Sequence, residues 1–84
     1  MVICETRYAL LVRLAWELRS VSLATYLVLP SYAEPVLYVS CAGRREPVLA
    51  VRWAERWSLL WRNHLLDADH LHSAARRIAA GAAT

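Results

Sequence analysis

Three of the four tryptophans in this 84-residue chain fall within residues 47–62, PVLAVRWAERWSLLWR, and that stretch decides the fold. Read as two strands, Leu49, Val51 and Trp53 share a face, and Trp57, Leu59 and Trp61 continue it after a tight reversal at 54–56. Arg52, Ser58 and Arg62 then point the other way, the alternation of a half-buried antiparallel pair. Read as one helix, Leu49, Trp53, Trp57 and Trp61 align at steps of four, which would make 48–65 helical and the chain mostly α. No Asn-Gly or other glycine marks the reversal. The β-formers of 48–53, and apolar runs at 24–29 and 36–41 spaced as in a strand meander, favour the hairpin.

The rest of the chain follows in order. Residues 6–20 read as a helix, with Tyr8, Leu11, Val12, Leu14, Ala15 and Leu18 recurring at three- and four-residue steps. Trp16 and Ala9 widen that apolar arc, leaving a narrow polar strip around an Arg13–Glu17 pair. A helix so broadly apolar is expected to touch more than one apolar surface. The first two strands are expected at 24–29 and 36–41, separated by a proline-bounded loop, PSYAEP. GRRE at 43–46 supplies the next reversal, and 63–66 lead out of the hairpin. A last helix starts at Asp67 or Asp69 as N-cap, buries Ala68, Leu71, Ala75 and Ile78, and stops at Gly81.

The expected architecture is therefore α+β in one domain, 1–84: helix, four-stranded antiparallel meander, helix, with both helices on one sheet face. That face carries Leu27, Leu29, Leu37, Val39, Leu49, Val51, Trp53, Trp57, Leu59 and Trp61. The opposite face carries Tyr26, Val28, Val36, Tyr38, Val48, Ala50 and Leu60, diluted by Ser40, Arg52, Ser58 and Arg62. An antiparallel sheet can leave one face in water, but that face is normally polar. Hydrophobic residues make up 58% of the chain, a high share for a domain whose small size gives it a large surface. The excess apolar surface calls for a partner, most simply a second copy. The interaction surface expected from the sequence is Tyr26, Val28, Val36, Tyr38, Val48, Ala50, Arg52, Leu60 and Arg62.

Other function classes find little support. The longest apolar window, 21–29, is bounded by Arg19 and Pro30 and falls short of the roughly 20 residues that span a bilayer. Glu5, Arg7 and Arg13 interrupt any signal-peptide core. Cys4 and Cys41 form no motif, so free thiols and a cytoplasmic location are expected. His64, His70 and His72 lie near Asp67 and Asp69, but His70 and His72 point apart on a helix and no ligand set forms. No nucleophile motif or phosphate loop occurs, so neither an enzyme nor a cofactor is expected. The net charge of +3, carried by arginine without lysine, resembles codon usage of a G+C-rich genome and favours an acidic partner without requiring nucleic acid. Two alternatives remain. One is a nucleic-acid regulator, using Tyr26 and Tyr38 with Arg52 and Arg62 on the open face, or Arg52, Arg56 and Arg62 on a helix. The other is a small-ligand domain with a tryptophan-lined pocket.

The leading helix ending ELRS, the RWSLLW strand and the closing DADHLHSAARRIAAG together resemble a class of short, mostly uncharacterised actinobacterial proteins of helix, four strands, helix. The likeness covers most of the chain, and its motifs are structural. It departs from that pattern at 54–56, where such proteins carry glycine in the turn. The resemblance implies an accessory partner of regulatory proteins and brings no catalytic residues. The function expected overall is a small protein–protein interaction module, a homodimer in a regulatory or assembly-accessory role.

Overall fold

The structure is a computed structural model and describes residues 5–30 and 34–83. Cys4 and the middle of the PSYAEP loop lie outside the described residues. Within them the order is α1 (Glu5–Ser20), β1 (Thr25–Val28), β2 (Val36–Cys41), β3 (Arg44–Trp53), β4 (Arg56–Trp61), β5 (His64–Asp67) and α2 (Leu71–Ala82). The strands form one antiparallel sheet in chain order, β1-β2-β3-β4-β5. The fold is α+β, with a meander between two helices. A fifth strand, His64–Asp67, replaces the expected lead-out to α2. Residues 48–61 are two strands and not a helix.

The last three reversals share one geometry. Cys41 pairs with Arg44, Trp53 with Arg56 and Trp61 with His64, so each loop is two residues long. Both loop residues have positive φ in every case: Ala42 at 51° and Gly43 at 79°, Ala54 at 51° and Glu55 at 62°, Arg62 at 49° and Asn63 at 62°. These are type I′ turns, whose twist matches that of the flanking strands. Only Gly43 and Asn63 are residues that favour the left-handed region, so the Ala54–Glu55 loop forms against its local preference.

The short loop also fixes which side chains face the helices. With Trp53 opposite Arg56, Trp57 must oppose Arg52, so Trp53 and Trp57 lie on opposite faces. The expected parity of β3 is therefore inverted. Val48 and Ala50 point inward and are buried, whereas Leu49 and Val51 face out and Trp53 is 76% exposed. The other strands keep their expected parity: Leu37, Val39, Leu59 and Trp61 are buried. Leu29 lies beyond the end of β1 and is exposed.

α1 lies over β1, β2 and β3 and packs beside α2. Leu11, Leu14 and Leu18, one face of α1, are fully buried, each contributing about 1.5–3 kcal/mol relative to exposure. α1 ends in a Schellman cap. Ser22 takes φ 63°, its N–H donates to Arg19 O, and Leu23 N–H reaches back to Leu18 O. Leu23 then packs against the core, closing the hydrophobic contact of that motif.

α2 presents Leu71, Ala74, Ala75, Ile78 and Ala82 inward. Its N-cap is His70, and no side chain caps it. Asp67 instead sits in β5, where its Oδ1 accepts from Asp69 N at 2.9 Å. Gly81 does not stop the helix; it lies inside it. A Cβ built at position 81 would run into the Trp61 ring, so this glycine lets α2 approach the sheet. Arg13 and Glu17 form no ion pair, since Glu17 faces His72 of α2 at 3.2 Å.

Replacing Ala54–Glu55 by Asn-Gly is expected to stabilise the fold by about 1–2 kcal/mol, because the left-handed strain is relieved without loss of a contact. Urea denaturation followed by tryptophan fluorescence measures it, and no gain would mean that the reversal has another geometry.

Candidate interaction surfaces

The helix-free face of the sheet is built from the outward positions of all five strands. Val28 pairs with Val36, and Leu49 with Leu60, which in turn pairs with Leu65. One step along the β2–β3 ladder from the Leu37–Val48 pair, Val36 meets Leu49. These five residues form an aliphatic row across the sheet. Beside it, Tyr26 pairs with Tyr38 and Tyr38 with Pro47. On the other side lie Val51, Ser58 and Trp53. Tyr26, Val28, Trp53 and Leu65 are exposed, and Val36, Tyr38, Leu49, Val51 and Leu60 are half-buried by their neighbours. Charge appears at the margins: Arg45 stacks on the Tyr26 ring at 4.3 Å, and Arg56 approaches Asp67 at 3.9 Å.

Of the nine residues expected on this surface, the structure brings together Tyr26, Val28, Val36, Tyr38 and Leu60. Val48 and Ala50 are core residues of β3, the strand that α1 covers, and Arg52 emerges on the helix side opposite Trp57. All three follow the inverted parity of β3. Arg62 is a loop residue. Leu49, Val51, Trp53 and Leu65 belong to the face and were not expected there. For Leu49, Val51 and Trp53 the signal is the spacing 53 to 56, since a two-residue reversal joins odd positions of β3 to even positions of β4; Leu65 follows from the next such reversal, 61 to 64.

Arg62 has a structural task. Its Nε donates to both Glu46 carboxylate oxygens, at 2.8 and 3.0 Å, and its Nη2 also donates to Glu46. Nη1 donates to Gly81 O at 3.0 Å, and the guanidinium stacks on Trp61 at 4.6 Å. One side chain thus ties the β4–β5 loop to the start of β3 and to the last turn of α2. Arg62 holds the Glu46 carboxyl below its ordinary 4.5. Burial, with the Glu46 carboxylate accepting from the thiol, pushes Cys41 up to about 11, so at neutral pH the thiol is protonated and a poor nucleophile.

The tryptophans divide by position. Trp61 is buried against Gly81, and its Nε1 finds no acceptor among the described residues. Trp57 is half-buried beneath Arg7, whose guanidinium lies 5.4 Å from the ring and pairs with Glu34 at 2.8 Å. Trp53 and Trp16 are exposed. Trp53 and Trp57 line one open hollow with Leu65 and Leu66, and Trp16 lines a separate groove between α1 and β1. The histidines also stay apart: His70 Nδ1 meets Asp67 Oδ2 at 2.9 Å, His72 meets Glu17, and His64 begins β5. Among the described residues no three metal-ligating side chains converge. No helix of the described residues is long and apolar enough to cross a membrane.

Because Arg62 depresses the Glu46 pKa, the pair's contribution to stability is fully present above 4.5 and is lost as pH falls through the lower folded value. Glu46→Gln is therefore expected to be less stable than the unmodified chain at pH 7, with the gap closing as both are titrated to pH 3. Urea unfolding across that range checks it, and a pH-independent gap would contradict the assignment.

Compared with known protein families, with curated proteins and with solved structures, the chain matches none.

Proposed function

We propose that the chain is a small protein–protein interaction module that self-associates, the helix-free face of its sheet covered by the same face of a second copy. The observation that carries this reading is the uncharged row Val28–Val36–Leu49–Leu60–Leu65 flanked by Tyr26, Tyr38 and Trp53. Complete coverage would remove on the order of 700 Å² per chain, about half of it aromatic, close to one side of a standard interface. That exceeds the largest apolar patch of an ordinary monomer. A two-fold axis through the row would pack the two sheets as a sandwich, and the marginal Arg45, Arg56 and Asp67 would form a polar rim.

A nucleic-acid platform is a poorer fit to the same face. Its centre is aliphatic and offers no ring for a base, and the Tyr26 ring is already covered by Arg45. A role as an accessory to a regulatory or assembly protein, in the cytoplasm, extends the reading.

Leu60→Asp and Leu49→Asp test the face. Each is expected to keep the circular dichroism of the unmodified chain and to halve its mass by light scattering. Val48→Asp, one residue away but inward, is expected to unfold the protein. Outward variants that retain the unmodified mass would overturn the reading.

A further inference from the structure

We infer that the groove between α1 and the free edge of β1 docks the C-terminal segment of another protein, added as an antiparallel strand with its terminal carboxylate at Arg19. This goes beyond the self-association face and uses a different surface.

The groove has a volume of about 480 Å³ and is lined chiefly by Val12, Ala15, Trp16, Arg19, Leu23 and Leu27. It is the outer flank of the broadly apolar α1, where that helix overhangs the sheet edge. Trp16 remains 64% exposed there. Among the described residues, the edge above it carries unpaired main-chain groups. Ser40 N donates to Ala24 O at 3.1 Å, so Ala24–Ser40, Tyr26–Tyr38 and Val28–Val36 are the hydrogen-bonded pairs of the ladder. Thr25 and Leu27 consequently direct their N–H and C=O groups away from β2, toward the open edge, while their side chains face the groove.

The two sheet edges are unlike. β5 reads HLLD and is guarded by His64 and by Asp67, which holds Asp69 N and His70. β1 reads TYLV, without a charge or a proline. Folded proteins normally protect an exposed edge with such residues, and an unprotected edge beside an apolar groove is the arrangement that accepts an added strand. Main-chain bonds to Thr25 and Leu27 would supply affinity. Alternate side chains of the added strand would enter the groove and supply specificity.

Two features fix the polarity and the end of that segment. Antiparallel pairing, the more stable kind, brings the C-terminal end of the segment to the Thr25 end of β1. There the α1–β1 connection, through Leu23 and Ala24, lines the groove and joins helix to strand, so a chain running between them ends at that connection. Arg19 is the one charged residue lining it. The guanidinium stacks on Trp16 at 5.6 Å and pairs with no carboxylate among the described residues, so it is free to take a terminal one.

The test uses two phage libraries of random octapeptides panned on the immobilised full chain, one displaying free C-termini and one fused through its C-termini. Only the free-carboxylate library is expected to enrich, for sequences alternating in apolar residues. No enrichment, or equal enrichment of both, overturns the proposal. An enriched peptide is then synthesised as acid and as amide. The acid is expected to bind at least about tenfold more tightly, and Arg19→Gln to erase that difference. Thr25→Pro removes an edge donor without touching the β1–β2 ladder and is expected to weaken binding about tenfold. Equal binding of acid and amide overturns the proposal. So does a Thr25→Pro variant whose mass falls, since a second copy would then hold the edge. Leu60→Asp is expected to bind the peptide unchanged, whatever it does to self-association; loss of binding in that folded variant would place the peptide on the sheet face and overturn the groove.

Discussion

The two-residue reversal at Ala54–Glu55 holds the rest of the molecule in place. Because side chains alternate along a strand, the loop length between two paired strands decides which residues of each share a face. One more residue in that loop would put Leu49, Val51 and Trp53 under the helices. With two, Val48 and Ala50 go inside, and Ala50 opposes Leu59, which opposes Leu66. These small and medium side chains leave room for Leu11, Leu14 and Leu18 to reach the sheet. The larger outward residues are thereby left without a cover in the single chain.

A second constraint works at the far end of the core. Trp61 needs α2 within ring-packing distance, and only glycine at position 81 permits it. Arg62, next in sequence, then spans from Glu46 to the Gly81 carbonyl, so the β4–β5 loop, β3 and α2 are held by one guanidinium. By sequence alone that residue is a candidate for partner recognition. Its bonds are directed inward, to the chain's own carboxylate and carbonyl, and this accounts for a charged residue in a tight turn that would ordinarily carry glycine.

Much of the fold was legible in the sequence. The spacing of Leu11, Leu14 and Leu18 gave α1, the alternation in VLYVSC gave β2 to the residue, and Ala68, Leu71, Ala75 and Ile78 gave the buried stripe leading into α2. Two things were not legible. The parity of β3 was hidden because VLAVRW is apolar at both odd and even positions, so period alone could not choose a face. β5 was hidden because HLLD is too short to show a period at all, and Asp67 resembled a helix cap. Both gaps touch the candidate surface directly, adding Leu49, Val51, Trp53 and Leu65 and removing Val48, Ala50, Arg52 and Arg62.

Two differently built surfaces share one small body: a broad uncharged sheet face, which we propose a second copy covers, and a narrow basic-ended groove, which we propose takes a chain terminus. Sedimentation velocity of the unmodified chain across the micromolar range reads out self-association through the sheet face. A species of twice the 9.5 kDa chain mass that dissociates on dilution is expected. A single species at the mass of one chain throughout that range would contradict it.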